Sequence, residues 1–331
     1  MADTDGRLGF RLILLFAAVA ILAAVGYRYQ WRDNGESARL SSVISAERAG
    51  IEAFLHSGSV TFQADHDGHV IQLSAVGADF TDAVVANVRE LPHLQSLTLN
   101  ESGITDKALS TVGTLTNLQT LLLEKTTISG DGLQALGGLK SLRHLSLVDC
   151  SVDEDGTAAI SRLRTLQILD LRQTDISDQS LRALATLSQL EMLYLGGTNI
   201  SGAGLSAFDT HDNLQLLNLD GVAVSEDAIS SLRQFPNLSQ LYLNGAPISD
   251  ELLSRLVDTI TTSLRKLNGL FLASTDLGDS STVVLKRLKD APELSLVGLE
   301  ATPISKQAFM ALAAETPELR YMVDYPAGDG D

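Results

Sequence analysis

The chain carries one cysteine, Cys150, and six histidines among 331 residues. A thiol acts as a nucleophile or metal ligand only when a base or cation makes it a thiolate. The surrounding run LVDCSVDE supplies no such base, and Cys150 stands where neighbouring segments place small inward residues, so it reads as structural. His66, Asp67 and His69 are near enough in sequence to suggest a metal site. Their spacing matches no established ligand set, and Asp65-His66-Asp67-Gly68 has the composition of a turn. His211 stands where a leucine is due and reads as a local loop adjustment. Gly137-Gly138 and Gly196-Gly197 read as turns, because no phosphate loop or dinucleotide fingerprint surrounds them. Sequons at Asn100, Asn199 and Asn237 matter only in a eukaryotic secretory route. No nucleophile, base and oxyanion donors converge. The expectation is no catalytic residue, no metal, no cofactor and no enzyme activity.

Charge narrows the partners. A net charge of −17 argues against a nucleic-acid binder, which needs clustered cations, and fits a basic partner or a self-repelling soluble surface. A single cysteine allows no intrachain disulfide.

The elements that must position any site are written as a repeat. From Leu94 to Ala246 one sentence recurs every 24 residues, opening at Leu94, Leu118, Leu142, Leu166, Leu190, Leu214 and Leu238. A strict period in this range signals a solenoid, in which each unit buries its apolar face against its neighbours. L-x-x-L-x-L alternates like a short strand with one buried face. A small slot follows: Ser102, Thr126, Cys150, Thr174, Thr198, Val222, Ala246, Thr275 and Thr302. A hydroxyl there can bond to nearby loop backbone. Next come an aliphatic residue and a Ser or Thr at the helix N-cap position, as at Thr105, Ser129, Ser177, Ser201, Ser225 and Ser249. Asp106, Asp178 and Asp250 suit a first helical turn. Apolar residues every three then suggest a short helix or 3₁₀ turn returning along the other side. The ladder extends back to Val70 and forward, through longer units, to Ile304, giving about ten repeats over 70–318. A cap and tail occupy 319–331, with PAGDGD expected to be disordered.

The N-terminal part differs. After a polar tail (1–7), Leu8 to Tyr27 is a 20-residue apolar run with Arg11 near its start. A helix of that length spans roughly 30 Å, the thickness of a bilayer core. Tyr27, Tyr29 and Trp31 would form an aromatic belt. The expectation is an uncleaved signal-anchor; a cleaved signal peptide is the alternative. Export of the repeats is the expected orientation, although Arg28, Arg32 and Arg39 after the span favour the cytoplasmic alternative. Residues 28–69 form a linker and a helix–hairpin cap. The predicted helix has Leu40, Val43, Ile44, Ile51, Phe54 and Leu55 as its stripe, and SVTFQA and HVIQLSA flank the turn.

On these residues the chain resembles a leucine-rich repeat protein of the 24-residue Thr- or Cys-slot type. The resemblance implies an α/β horseshoe with a parallel concave sheet and short convex helices. The apolar run, the segment ERAGIEAFLHSGSVTF and the repeats together resemble membrane-anchored leucine-rich repeat proteins of planctomycete bacteria. No F-box-like segment precedes the repeats. The resemblance also implies that partners dock on the concave sheet. There the outward columns change character at Ile168: Ile168, Met192, Tyr194, Leu216, Tyr242 and Phe271 form an apolar and aromatic patch, rimmed by Asp170, Arg172, Asp220 and Asn244. Aromatic anchors with a polar rim suit a protein or peptide ligand, although cross-strand packing alone could account for them. The expected function is non-catalytic protein binding by a membrane-anchored repeat array, with an envelope protein assembling laterally through the solenoid as the alternative.

Overall fold

Among the described residues, twelve strands lie in one sheet in sequence order. The computed structural model describes residues 43 and 45–324. The apolar run Leu8–Tyr27, the linker to Ser42 and the tail from Pro326 lie outside the described residues. Among the described residues, no helix is long and apolar enough to cross a membrane.

The array begins with helix α1 (Ser45–Leu55) and an antiparallel hairpin of β1 (Val60–Ala64) and β2 (Val70–Ala75). Ile51 and Phe54 of α1 are buried, as is Val43 just before it, and Phe54 stacks on Phe80. In the turn, Asp65 Oδ1 accepts from the amides of Asp67 and His69, and Gly68 takes the positive φ that a tight turn favours. Helix and hairpin cover the first end of an otherwise open apolar core.

From β2 onward every neighbour is parallel: β3 (Ser96–Thr98), β4 (Thr120–Leu122), β5 (His144–Ser146), β6 (Ile168–Asp170), β7 (Met192–Tyr194), β8 (Leu216–Asn218), β9 (Gln240–Tyr242), β10 (Gly269–Phe271), β11 (Leu296–Gly298) and β12 (Arg320–Met322). The central leucine of each unit pairs with the next, Leu97, Leu121, Leu145, Leu169, Leu193, Leu217, Leu241 and Leu270 in turn, and all are fully buried. Each fully buried leucine contributes about 1.5–3 kcal/mol, so the repeated column dominates the core.

Three sets of polar bonds recur along the array; the first closes each unit on itself, and the other two join neighbouring units. The slot hydroxyls of Ser102, Thr126, Thr174, Thr198, Thr275 and Thr302 each donate to the carbonyl of the leucine three residues earlier. The helix-start acids do more than complement a dipole. Asp82, Asp106, Asp178 and Asp279 each accept the amide and hydroxyl of the Ser or Thr at the next unit's helix start: Thr105, Ser129, Ser201 and Ser305. The third set lies before the opening leucines, where Asn117, Asn213 and Asn237 donate to the main-chain oxygens of Pro92, Ser188 and Asp212.

The return segments on the helical side vary. Most contain a short α-helix, such as Asp106–Val112 or Asp178–Leu184, and the extended unit holds a 13-residue helix, Asp250–Thr262. The unit at Ser201 has only a 3₁₀ turn, Ala203–Ala207, entered through the left-handed Gly202. Gly204 lies against the Asp178 carbonyl, where a β-carbon would not fit.

One left-handed position recurs after every strand from β3 to β11. Glu101, Lys125, Asp149, Gln173, Gly197, Gly221, Gly245, Ser274 and Ala301 all have φ between 52° and 69°. Each of these amides reaches forward to a backbone oxygen of the next unit, as Gln173 does to Gly196. At the last one, the Asp324 carboxylate takes that role and accepts from Ala301 at 2.6 Å.

Candidate functional site on the sheet face

Strands β6 to β10 bring the ten singled-out residues onto one face. Two rows run across the strands in register. One is Ile168, Met192, Leu216, Gln240 and Gly269; the other is Asp170, Tyr194, Asn218, Tyr242 and Phe271. Arg172, Asp220 and Asn244 follow the strands at the edge of the face.

The sequence predicts an exposed patch; the structure corrects that. Leu216 is 3% exposed and Asp170 5%, and the remaining members are half-buried. Parallel strands lie only about 4.8 Å apart, so long outward side chains lean on one another. Tyr242 and Phe271 stack with centroids 4.2 Å apart and planes 7° apart. Gly298 follows Phe271 in the same row and Gly269 lies in the other row, and a β-carbon on Gly269 would stand 3.0 Å from the Phe271 ring. Tyr194 donates to Met192 Sδ, and Tyr242 to Gln240 Oε1 at 3.1 Å.

A charged group sits beside the aromatics. Arg172 donates from Nε and Nη2 to the Asp170 carboxylate, at 2.6 Å for the shortest bond. Its guanidinium carbon lies 5.4 Å from the Tyr194 ring centroid, a cation–π distance. One strand earlier, Ser146 donates to Glu124 at 2.8 Å. On the other flank Asn218 donates to Asp220, whose other oxygen accepts the Asn244 amide; Asn244 in turn accepts the Ala273 amide. At Asp220 and Asn244 the outward column after the strands therefore relays hydrogen bonds from unit to unit, a role not visible in the residue types alone.

Burial sets the proton affinities on this face. It pushes the Glu124 carboxyl up, against the Ser146 bond, and the nearby Asp170 charge adds to the rise. It raises Asp220 despite the bonds from Asn218 and Asn244. It pushes the Tyr194 phenol up to about 12 and raises Tyr242 further. It lowers His144. The face thus holds carboxylates at a partly desolvated surface, where the charged form is penalised.

The other singled-out residues have structural roles. Cys150 is buried, its thiol 3.2 Å from the Leu123 carbonyl and 3.5 Å from the Thr126 hydroxyl, and burial raises its proton affinity. His211 is buried edge-on to Phe208, with its ring nitrogens near the Leu187 and Asp209 carbonyls. Among the described residues, no buried side-chain nitrogen or oxygen lacks a hydrogen-bond partner. His66 is 89% exposed on the hairpin turn. His69 does not join it; the structure places His69 with Glu47 and His93 instead.

A family model described as Leucine Rich repeat matches residues 162–185. No curated protein matches the chain. Among solved structures, an internalin (inlF) from Listeria monocytogenes is similar at 18% identity and a TM-score of 0.48, covering 88% of this chain and 98% of that one. An internalin C2 (inlC2) from the same organism is 23% identical at a TM-score of 0.43, covering 72% and 83%. A plant peptide hormone receptor, RGFR1, in complex with RGF2, is 18% identical at a TM-score of 0.45; the match covers 79% of this chain and 45% of the receptor. Residues 162–185, which hold the end of one unit and strand β6 of the next, are thus similar to a leucine-rich repeat, and the same strand register runs from β2 to β12, so the described residues form a solenoid of parallel-stranded repeats.

Proposed function

We propose that the chain is a non-catalytic interaction protein whose sheet face captures an extended, cationic protein segment. The observation that carries this reading is the pairing of rigid aromatics with partly desolvated carboxylates. Tyr194, Tyr242 and Phe271 form a preorganised ledge, so little ordering entropy is lost on association. Asp220, in the unit between Tyr194 and Tyr242, and Glu124, three units before Tyr194, have their acidities weakened by burial, and a Lys or Arg of a partner would relieve that penalty. A net charge of −17 steers such a partner toward the chain.

Selection of a displayed random-peptide library on the full chain tests this. Enriched peptides should carry Lys or Arg beside an apolar residue, bind less tightly as salt rises, and lose binding to Tyr194→Ala/Tyr242→Ala. Peptides without cations, or indifferent to both substitutions, would sink the proposal.

Membrane anchoring through Leu8–Tyr27 with exported repeats belongs to the same proposal and rests on the apolar run alone. Protease added to intact cells should cleave the repeats; protection until lysis would place them in the cytoplasm.

A second reading, assembly through the solenoid, is favoured by the far end of the array. There β12 is an edge strand whose Met322 is exposed, as is Met310 on the preceding helix (Lys306–Glu315). Sedimentation of residues 34–331 distinguishes the two readings, because assembly predicts a mass that rises with concentration.

A further inference from the structure

We infer that Glu47, His69 and His93 form a site for a divalent transition-metal ion of the zinc type, which fastens the N-terminal cap to the first repeat. One ligand atom from each of the three side chains lies within 4.8 Å of the others. His69 Nδ1 is 3.1 Å from Glu47 Oε1, and the imidazoles of His69 and His93 lie 3.8 Å apart at a 30° tilt. Two ligands on a tetrahedral ion with bonds of about 2.0–2.1 Å stand about 3.4 Å apart, so the Glu47–His69 pair already has that spacing. The third ligand, within 4.8 Å of the other two, needs to close by at most about 1.4 Å, within reach of an exposed side chain on a loop.

Two further features suit a metal. Glu47 is only 1% exposed, and its second oxygen accepts the Val70 amide at 2.5 Å. That bond fixes the carboxylate with Oε1 turned toward His69, the kind of outer hydrogen bond that orients metal ligands. Burial is graded as well: Glu47 is buried, His69 half-buried and His93 exposed. A cation can therefore enter from the His93 side and keep its fourth position for water. Two nitrogen donors with one carboxylate select zinc-like ions over calcium or magnesium, which prefer oxygen ligands.

The three residues come from three separate pieces of the fold. Glu47 lies in α1, His69 directly before β2, and His93 in the segment leading to β3. A bound ion would cross-link cap helix, hairpin and first repeat. The sequence conceals the site because 22 residues separate Glu47 from His69, and the obvious local cluster of His66, Asp67 and His69 diverts attention from it.

The test is Zn²⁺ titration of the full chain, purified in mild detergent and stripped with EDTA, followed by calorimetry and by the visible absorption of a Co²⁺ substitute. The expected result is one ion per chain, a tetrahedral-type cobalt spectrum and a higher unfolding temperature with Zn²⁺. His93→Asn should weaken Zn²⁺ binding by more than the roughly 10–100-fold that losing an outer partner produces. His66→Asn should leave it unchanged. His93 is exposed, so its variant should fold even if His69→Asn does not. No saturable binding, or binding reduced by His66→Asn but not by His93→Asn, would overturn the assignment.

Discussion

Arg172 binds Asp170, two residues earlier in its own repeat, through both Nε and Nη2, with the shortest bond at 2.6 Å. Asp170 is almost wholly buried, whereas Arg172 keeps about a quarter of its surface. Removing one partner of such a pair leaves a desolvated charge behind, which is costlier than removing both. Arg172→Leu should therefore destabilise by about 2 kcal/mol, less than the 3–5 of a fully buried pair because Arg172 is partly solvated. Asp170→Asn in that background should recover most of the loss. A double-mutant cycle by urea unfolding checks this; additive effects would mean that the pair is not coupled.

The acids on the helical side should make stability sensitive to low pH. Burial raises the Asp178 carboxyl, but the bonds from Ser201 and the amides of Gly204, Ser201 and Gly202 outweigh it, and the net shift is downward from 3.8. A lowered acid contributes stability above its unfolded value, and the contribution is lost as pH falls through its folded value. Asp178→Asn should cost about 1.5–3 kcal/mol at pH 7, the range for hydrogen bonds to a charged group. The gap to the parent should close as pH drops below 3.8. Urea midpoints of both proteins across that range measure it. Glu124 and Asp220 act in the opposite sense: their raised values favour folding when protonated and subtract stability as pH rises past the unfolded value.

The recurring left-handed position is only partly filled by glycine. Ala301 holds a φ of 52° with neither glycine's freedom nor a polar side chain to compensate. Ala301→Gly should stabilise the chain by about 0.5–1 kcal/mol, the relieved strain less the added unfolded-state entropy. Gly245→Ala should destabilise by a similar amount. Nothing lies within 4 Å of a β-carbon built there, so backbone conformation alone is tested. Equal urea midpoints for parent and both variants would show that the left-handed turn carries no strain.

What the sequence made legible follows from what repeats. The leucine columns, the small slot and the helix starts each recur every 24 residues, so strand order and register can be read directly. The cross-unit partner of Asp106 could not be read, because an acid at a helix start already has a local explanation. The left-handed column was hidden by its variety, since Glu, Lys, Asp and Gln fill it before the three glycines. The sheet-face residues were named correctly as neighbours, but their burial was not foreseen. It depends on side chains meeting across strands, as Phe271 meets Tyr242, and on glycines that make room for them.

Cys150 occupies a slot that threonine fills at Thr126, Thr174 and Thr198, and its thiol bonds within the core. Burial raises its proton affinity, so little thiolate is present in the folded state. A thiol reagent such as iodoacetamide should modify it only after unfolding, at a rate that tracks denaturant. Cys150→Thr should change stability by less than about 1 kcal/mol, because the hydroxyl has the Leu147 carbonyl within reach of the same turn. Rapid modification of the native chain would contradict the buried placement.

Gly269 is the position where sheet packing and the proposed function can be separated. A β-carbon there would stand 3.0 Å from the Phe271 ring, tighter than most real contacts, so Gly269→Ala should displace the ring by a few tenths of an ångström relative to Tyr242. Crowding of this kind costs about 1–3 kcal/mol when the neighbour cannot yield. Phe271 is half-buried on an open face and can yield, so the stability loss should fall at the low end. The near-ultraviolet circular dichroism of the Tyr242 environment should change, with the far-ultraviolet spectrum unaltered. If the stacked pair anchors a bound segment, Gly269→Ala should weaken peptides selected on the parent chain by about 10-fold, or ~1.4 kcal/mol, within the range for loss of an interface anchor. Altered dichroism with undiminished peptide affinity would leave the stack as packing alone and move the binding surface elsewhere on the sheet.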